Sequence, residues 1–266
     1  MIILALALIS ANPDTISSAL AKAQPGDTIK LTPGDYGTVS IKNRVWPKRI
    51  TINAAGAKMR LVVSKSSGIT INGGTFGPNK TKPGYAAHLL QSSNVTFYKS
   101  VFVDSLRGLV IDRSQDVKVS WVRFSRMTID GVNIASSQRV QVTDSKCEGF
   151  TPGEAHPDCI QGWSRPDTGI TSDVLIARNT IGPGSQGIFF GNGVRNGLDD
   201  GGYDRVTITA NKIHGSFPQG IGLYDCRACT VSGNVVTTAP GSRFRTSINV
   251  VRGTVKSEAN TIGPKQ

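Results

Sequence analysis

The chain has few of the residues that fill most cores and most catalytic sites. Aromatic side chains are 6% of its 266 positions, so a core must be built mainly from aliphatic residues. Histidine occurs three times, at 88, 156 and 214, so an imidazole beside an acid draws notice. Acids are short as well, 18 against 30 Lys and Arg, for a formal charge of +12. Such a surface favours a polyanion: nucleic acid, acidic polysaccharide or an anionic membrane face. The apolar run Ile2 to Ile9 covers eight residues, far short of the ~20 that span a bilayer. With 38% hydrophobic residues and 30 glycines, the composition excludes a disordered chain, a coiled coil and a multi-span membrane protein.

That apolar run has two readings. Ile9-Ser10-Ala11 before Asn12 suits a signal-peptide cleavage site, although the positively charged leader is missing. Otherwise residues 1–11 contain a buried first strand, and residues 12–266 form a single domain in either case. The four cysteines also leave alternatives open. Cys226-Arg-Ala-Cys229 has the spacing of half a zinc site, with Cys147 and Cys159 as the other half. Zinc motifs usually pair two short spacings, and only one is short here. Disulfides and buried thiols are the other readings.

Helical periodicity is missing except at Thr15–Ala23, and Asn-Gly pairs between strands are scarce. The scarcity of hairpin signals argues against a sandwich or barrel of antiparallel strands. What recurs instead is a short apolar–polar–apolar strand: Ile50-Thr-Ile52, Ile69-Thr-Ile71, Val95-Thr-Phe97, Val117-Lys-Val119, Val140-Gln-Val142, Val174-Leu-Ile176 and Val206-Thr-Ile208. Such alternation marks a half-buried strand. Val95, Val117 and Val140 are 22 and 23 residues apart, and the longer gaps that follow read as a coil plus an insertion. Polar turn residues commonly follow: Asn72, Ser100, Ser145, Asn179, Asn211 and Asn234. A second series interleaves: Gly108–Ile111, Gly131–Ile134, Cys159–Gln161, Gly187–Phe190 and Gly220–Leu223. A period of 22–24 residues with several strands in each predicts a right-handed, single-stranded parallel β-helix of about ten coils. Asp14 to Ile41 resembles the opening of right-handed β-helix proteins, where a short amphipathic helix caps the open end of the solenoid.

Aligning the second series puts Arg107, Asp130, Asp158, Gln186 and Gln219 in one column, with Val110, Asn133, Gln161, Phe189 and Gly222 beside them. The polar positions are densest at Asp130, Asn133, Asp158 and Gln161, where the insertions also fall. Inserted loops raise the walls of a cleft on one face of a rod. His156-Pro157-Asp158 puts an imidazole next to this column. Carboxylates one coil apart sit about 5–8 Å from each other. At that range one is pushed toward the neutral acid, or the two share a cation such as calcium. The loop from Asn196 to Asp204 is also rich in oxygen ligands. Flanking loops add Arg126, Glu154, Ser185 and His214 before the strands, and Trp163, Arg165, Asn192, Arg195, Tyr224 and Arg227 after them. An indole beside a guanidinium suits a sugar bearing a carboxylate: the ring face packs on Trp163 and Arg165 grips the acid. Lys and Arg elsewhere on the surface read as solubilising.

Thr128-Ile-Asp130-Gly, Pro157-Asp158-Cys and Ser185-Gln186-Gly187 resemble the core motifs of the polygalacturonase-type β-helix hydrolases. Asp130 and Asp158 match two of that family's acids. The chain departs from it at Pro157, where a third carboxylate belongs, and at Gln186, where a histidine belongs. The resemblance to this pectin-lyase-like group extends to polysaccharide lyases and uronate C5-epimerases, which need a neutraliser for the uronate carboxylate, a base for the C5 proton and an acid for the leaving oxygen. Among the residues present, His156 is the expected base and Tyr203 or Tyr224 the expected acid. Arg165 or Arg107 with Gln161 would neutralise the carboxylate, while Asp130 and Asp158 orient His156 or hold a cation. Asn133, Trp163, Gln186 and Arg195 complete the expected substrate contacts. A glycoside hydrolase using Asp130 and Asp158, and a non-catalytic spike or adhesin, are the alternatives. The expected setting is secreted or periplasmic, the expected form monomeric, and nucleic acid is not an expected partner because no recognition element is visible.

Overall fold

The structure is a computed structural model that describes residues 6–153, 156–195 and 197–264, with only the backbone of Arg195. Strand accounts for 62% of it and helix for 3%, in a parallel β-solenoid of about eleven turns. The two strand series of the sequence form two of its faces. In the first, Ser93–Tyr98, Gln115–Ser120, Gln138–Thr143, Thr171–Ala177 and Tyr203–Thr209 pair in parallel. The second face runs through Tyr85–Leu90, Arg107–Asp112, Asp130–Ala135, Asp158–Trp163 and Gln186–Phe190. A third face of very short strands, including Val101–Val103, Arg123–Ser125 and Lys146–Glu148, closes each coil. These strands of two to four residues are too short for a periodic signal.

Stacked side chains inside the coil hold the turns in step. Phe76, Phe102 and Phe124 stack with centroids 4.9 Å apart at each step. The polar residues after the first strands form an internal ladder, in which each side-chain carbonyl accepts the backbone N–H of the coil before it. Ser145 donates to Asn179, Asn179 to Asn211, Asn211 to Asn234 and Asn234 to Asn260, all at 2.9–3.0 Å. Ser66, Ser92, Ser114 and Ser137 do the same at another corner. Buried turn amides are thereby satisfied, as backbone removed from water requires.

The outer corners answer the sequence reading of the surface charge. Asn94, Asp116, Arg139, Asp173 and Arg205 share one corner column, all in the left-handed region with φ of 51–56°. Arg139 forks onto Asp116 at 2.7 and 3.0 Å, and Arg205 onto Asp173 at 2.6 and 2.8 Å. Arg126 pairs with Asp104, Arg178 with Asp144, Arg227 with Asp204 and Arg252 with Asp225. These arginines are therefore not merely solubilising. They bridge adjacent coils, although ion pairs this exposed add little to stability.

At the N-terminal end, helix Ile16–Lys22 covers the first coil with Ile16, Ala19 and Leu20. Arg44 Nη2 donates to the carbonyls of Leu20 and Ala21, and Trp46 Nε1 to that of Ala23, so the free carbonyls of the helix end are answered from the coil beneath. Leu8–Ala11 is a strand paired in parallel with Thr28–Leu31, with Leu8 exposed. Cys147 bonds to Cys159 and Cys226 to Cys229. All four sulfurs are thus used in disulfides, which removes the thiolates that a zinc site needs. No described helix is long and apolar enough to cross a membrane.

Candidate active site

The column read from the sequence is the observed register for Arg107, Asp130, Asp158 and Gln186, with Tyr85 one coil earlier; Gln219 pairs with Ser247 but shows no pairing with Gln186, whereas Val110, Asn133, Gln161, Phe189 and Gly222 pair throughout. Strict alternation from Val132 would turn Asp130 inward. It faces out because Gly131 and Val132 both point to the core. A Cβ on Gly131 would lie 2.6 Å from the Cys159 carbonyl and 3.3 Å from Cys147 Sγ, so only glycine fits there. Asp130 and Asn133 then share the outer face, where Asn133 Nδ2 donates to Asp130 Oδ2 at 2.9 Å and to Gln161 Oε1 at 3.1 Å. Arg107 Nε lies 3.5 Å from the same Asp130 oxygen, and the Asp158 backbone N–H donates to Asp130 Oδ1.

The acids do not sit in an open trough, as expected, but beneath a covering. Asp130 is 2% exposed and Asp158 1%. Burial pushes the Asp130 carboxyl up, partly offset by the Asn133 hydrogen bond. Asp158 is pushed well above the usual carboxylate range, first by burial and then by the charge of Asp130. Neither Asp158 oxygen has a hydrogen-bond partner, so Asp158 does not orient His156. Among the described residues the unpartnered buried side-chain polar atoms are Arg107 Nε, Thr128 Oγ1, Asn133 Oδ1, both Asp158 oxygens, Ser185 Oγ and Gln186 Oε1. All seven belong to this column, to the column beside it or to residues within two positions of it in sequence, and Arg107 Nε, though it lacks a hydrogen bond, forms an ion pair with Asp130. Native cores rarely tolerate such groups, because each costs about 1–3 kcal/mol, and their concentration here marks a site arranged for something other than stability.

Exposed groups border the buried acids. His156 reaches solvent, its ring centroid 6.3 Å from that of Phe217, and its charge acts on Asp130. Two residues beyond Phe217, Gln219 Nε2 donates to the Tyr224 hydroxyl at 3.1 Å. A pocket of about 260 Å³ is lined by Gln161, Trp163, Arg165, Phe189, Asn192, Asp200 and Tyr224, among others. The Arg165 guanidinium lies 5.7 Å from the centre of the Trp163 ring and 3.4 Å from Asp200. The Tyr224 ring meets Phe189 edge-on at 5.6 Å.

Several expected contributors lie elsewhere. Tyr203 is fully buried, its hydroxyl donating to the carbonyls of Gly162 and Gly191, and its pKa is driven up by burial. It is a core residue and not the acid. Arg107 is held by Asp130 and the Pro83 carbonyl. Arg126 and Arg227 belong to the corner pairs. His214 lies on the short-strand face against Thr237. Glu154 and the Arg195 side chain lie outside the described residues. The acids of the loop read for calcium go to separate partners: Asp199 to the Gly201 amide and Asn192, Asp200 to Arg165, and Asp204 to Arg227. No group of three or more metal-ligating acids, histidines or cysteines occurs among the described residues. Phe217 and Asp200 were not singled out as site residues by the sequence; Asp200 carried a signal, in the Gly/Asp loop, but Phe217 carried none.

The burial of Asp158 has a measurable consequence. A carboxyl whose pKa is higher folded than unfolded holds more protons in the folded state. Stability then falls as pH rises from the unfolded value, about 3.9, through the folded one. Asp158→Asn is expected to melt above the wild type at neutral pH and to show a flatter melting profile above about pH 4. Parallel pH profiles for the two proteins would mean that Asp158 ionises in the fold without penalty.

No protein-family model matches the chain, and no curated protein sequence does. Solved structures do. An alginate lyase from Paenibacillus sp. str. FPU-7 superposes with TM-score 0.56 at 18% identity, over 94% of this chain and 99% of that one. A DFA-IIIase from Arthrobacter chlorophenolicus A6 gives 0.58 at 12%, over 89% and 66%. PfbA, a surface adhesin of Streptococcus pneumoniae, gives 0.51 at 15%, over 94% and 86%. The fold is therefore the pectin-lyase-like parallel β-helix. At these identities the likeness extends to the fold and no further.

Proposed function

We propose that this chain is an extracytoplasmic carbohydrate-active enzyme that cleaves an acidic, uronate-containing polysaccharide by β-elimination. The observation that carries this reading is a pocket that presents an indole, a guanidinium and a phenol, joined through the Asn133–Gln161 hydrogen bond to the strands that carry the buried polar atoms without hydrogen-bond partners. The pocket suits a uronate ring, with its face on Trp163 and its carboxylate toward Arg165 and Gln161. His156 takes the C5 proton. The C5–H electrons form the C4–C5 double bond, the C4–O bond breaks, and the Tyr224 hydroxyl protonates the leaving oxygen. The contact of His156 with Phe217 and that of Gln219 with Tyr224, two residues further along the chain, support pairing these groups. Burial disfavours the charged form of Asp158, and the amides of Asn133 and Gln186 add polar groups that carry no charge. Two disulfides suit an oxidising compartment, and the alginate lyase on the same fold supports the substrate class.

Burial of the acids favours elimination over hydrolysis. A hydrolase needs both carboxyls against the glycosidic oxygen and a water, and here each is at most 2% exposed, whereas His156 reaches solvent. The deciding experiment is incubation with a panel of uronate polymers, with and without chelator, following ultraviolet absorbance and reducing ends together. The expected result is a rise in both, since elimination leaves a conjugated double bond. Reducing ends without absorbance would assign hydrolysis by Asp130 and Asp158. Silence on every polymer would leave the adhesin reading.

A further inference from the structure

A second pocket lies on the same face as the candidate active site, toward the N-terminal end. It holds about 410 Å³ and is lined by Thr38, Arg60, Asn79, Pro83, Tyr85 and His88, over Leu61 and Val62. That volume falls within the ~300–1,000 Å³ typical of small-molecule sites. Tyr85 belongs to the same column as Asp130 and Asp158, and His88 to that of Asn133 and Gln161. Three coils separate Tyr85 from Asp158, or about 14 Å at the spacing of neighbouring strands. The lining has both an apolar and a polar part. Tyr85 and His88 meet edge-on at 5.0 Å, with Val62, Leu61 and Pro83 alongside. Arg60, Asn79 and Thr38 bring polar groups, and no lining residue is acidic. Burial lowers the His88 pKa, so near neutrality the ring serves as a hydrogen-bonding group, with Arg60 as the fixed positive charge. Arg107 joins this pocket to the acids: its Nη1 donates to the Pro83 carbonyl at 3.3 Å and its Nε lies 3.5 Å from Asp130.

We infer that this pocket is a distal subsite for an acidic sugar of the same polymer, with a ring packing on Tyr85 and its carboxylate meeting Arg60. The inference rests on the proposed uronate-cleaving activity and adds to it that the polymer runs along the solenoid axis and spans at least three coils. A short oligosaccharide held at the Trp163 pocket cannot reach Tyr85, whereas a long one can.

The test is the length dependence of cleavage. Wild type, Tyr85→Ala and Arg60→Ala are compared on a ladder of uronate oligosaccharides and on the intact polymer, after melting curves establish that the variants fold. Arg60 is exposed, so its truncation leaves the core intact and serves as the second variant if Tyr85→Ala unfolds. For the polymer, kcat/KM is expected to fall about tenfold through KM, the scale of one lost charged or stacking contact, while the shortest cleaved oligosaccharide is unaffected. An unchanged polymer KM, or equal losses at every length, would overturn the subsite and leave the activity standing. Failure of the wild type to cleave any uronate polymer would overturn both.

Discussion

Replacing His156 with alanine is expected to slow formation of unsaturated product by about 10²–10⁴-fold, the usual worth of a positioned general base. The C5 proton of a uronate is weakly acidic, so the rate depends on a base that reaches it from solvent. Among the ionisable groups bordering the buried acids, His156 is exposed while Asp130 and Asp158 are covered. The variant should fold as the wild type does, because substitutions at exposed positions away from special contacts usually stay within about 0.5 kcal/mol. Rates measured across pH separate a base from a merely structural ring: a base variant should differ from the wild type in the shape of the profile as well as in its height. A variant with the full rate and an unchanged profile would remove His156 from the mechanism and return attention to the acids.

The largest expected effect on stability lies in the internal ladder. Asn211→Leu should cost about 3–5 kcal/mol, read from the denaturant midpoint at constant slope. Asn211 is fully buried. Its Oδ1 accepts from the Asn179 backbone and side chain at 2.9 and 3.0 Å, and its Nδ2 donates to the Ile176 and Thr209 carbonyls and to Asn234 Oδ1. Leucine has a similar volume and none of these bonds, so groups in three successive coils lose partners inside the core, each at about 1–3 kcal/mol. Because every rung uses both neighbours, the loss cannot be confined to one coil. A change below about 1 kcal/mol would mean that the ladder can be replaced by packing alone.

The repeat was the most legible feature. Val117-Lys-Val119 and Val140-Gln-Val142 show the inward–outward alternation and the coil length together, and those two quantities define a parallel solenoid. The stacking of Asp130 on Asp158, and of Asn133 on Gln161, followed from aligning the second series and matches the pairing found. The arginine corners were not legible. Asp116 and Arg139 are 23 residues apart, and nothing local distinguishes a charge that bridges coils from one that is simply hydrated. On sequence Tyr203 is a candidate acid, yet its ring is in the core against Phe190.

What the sequence alone determined is the axis of the molecule and the column each residue joins, because a strand's period and a coil's length are local properties that repeat. What only the tertiary structure decided is depth. Asp130 faces outward because glycine and valine at 131 and 132 both turn inward, and it is nevertheless buried. Burial depends on the sum of distant neighbours, and it is burial that pushes the Asp158 carboxyl up while His156, two residues before it, remains in water.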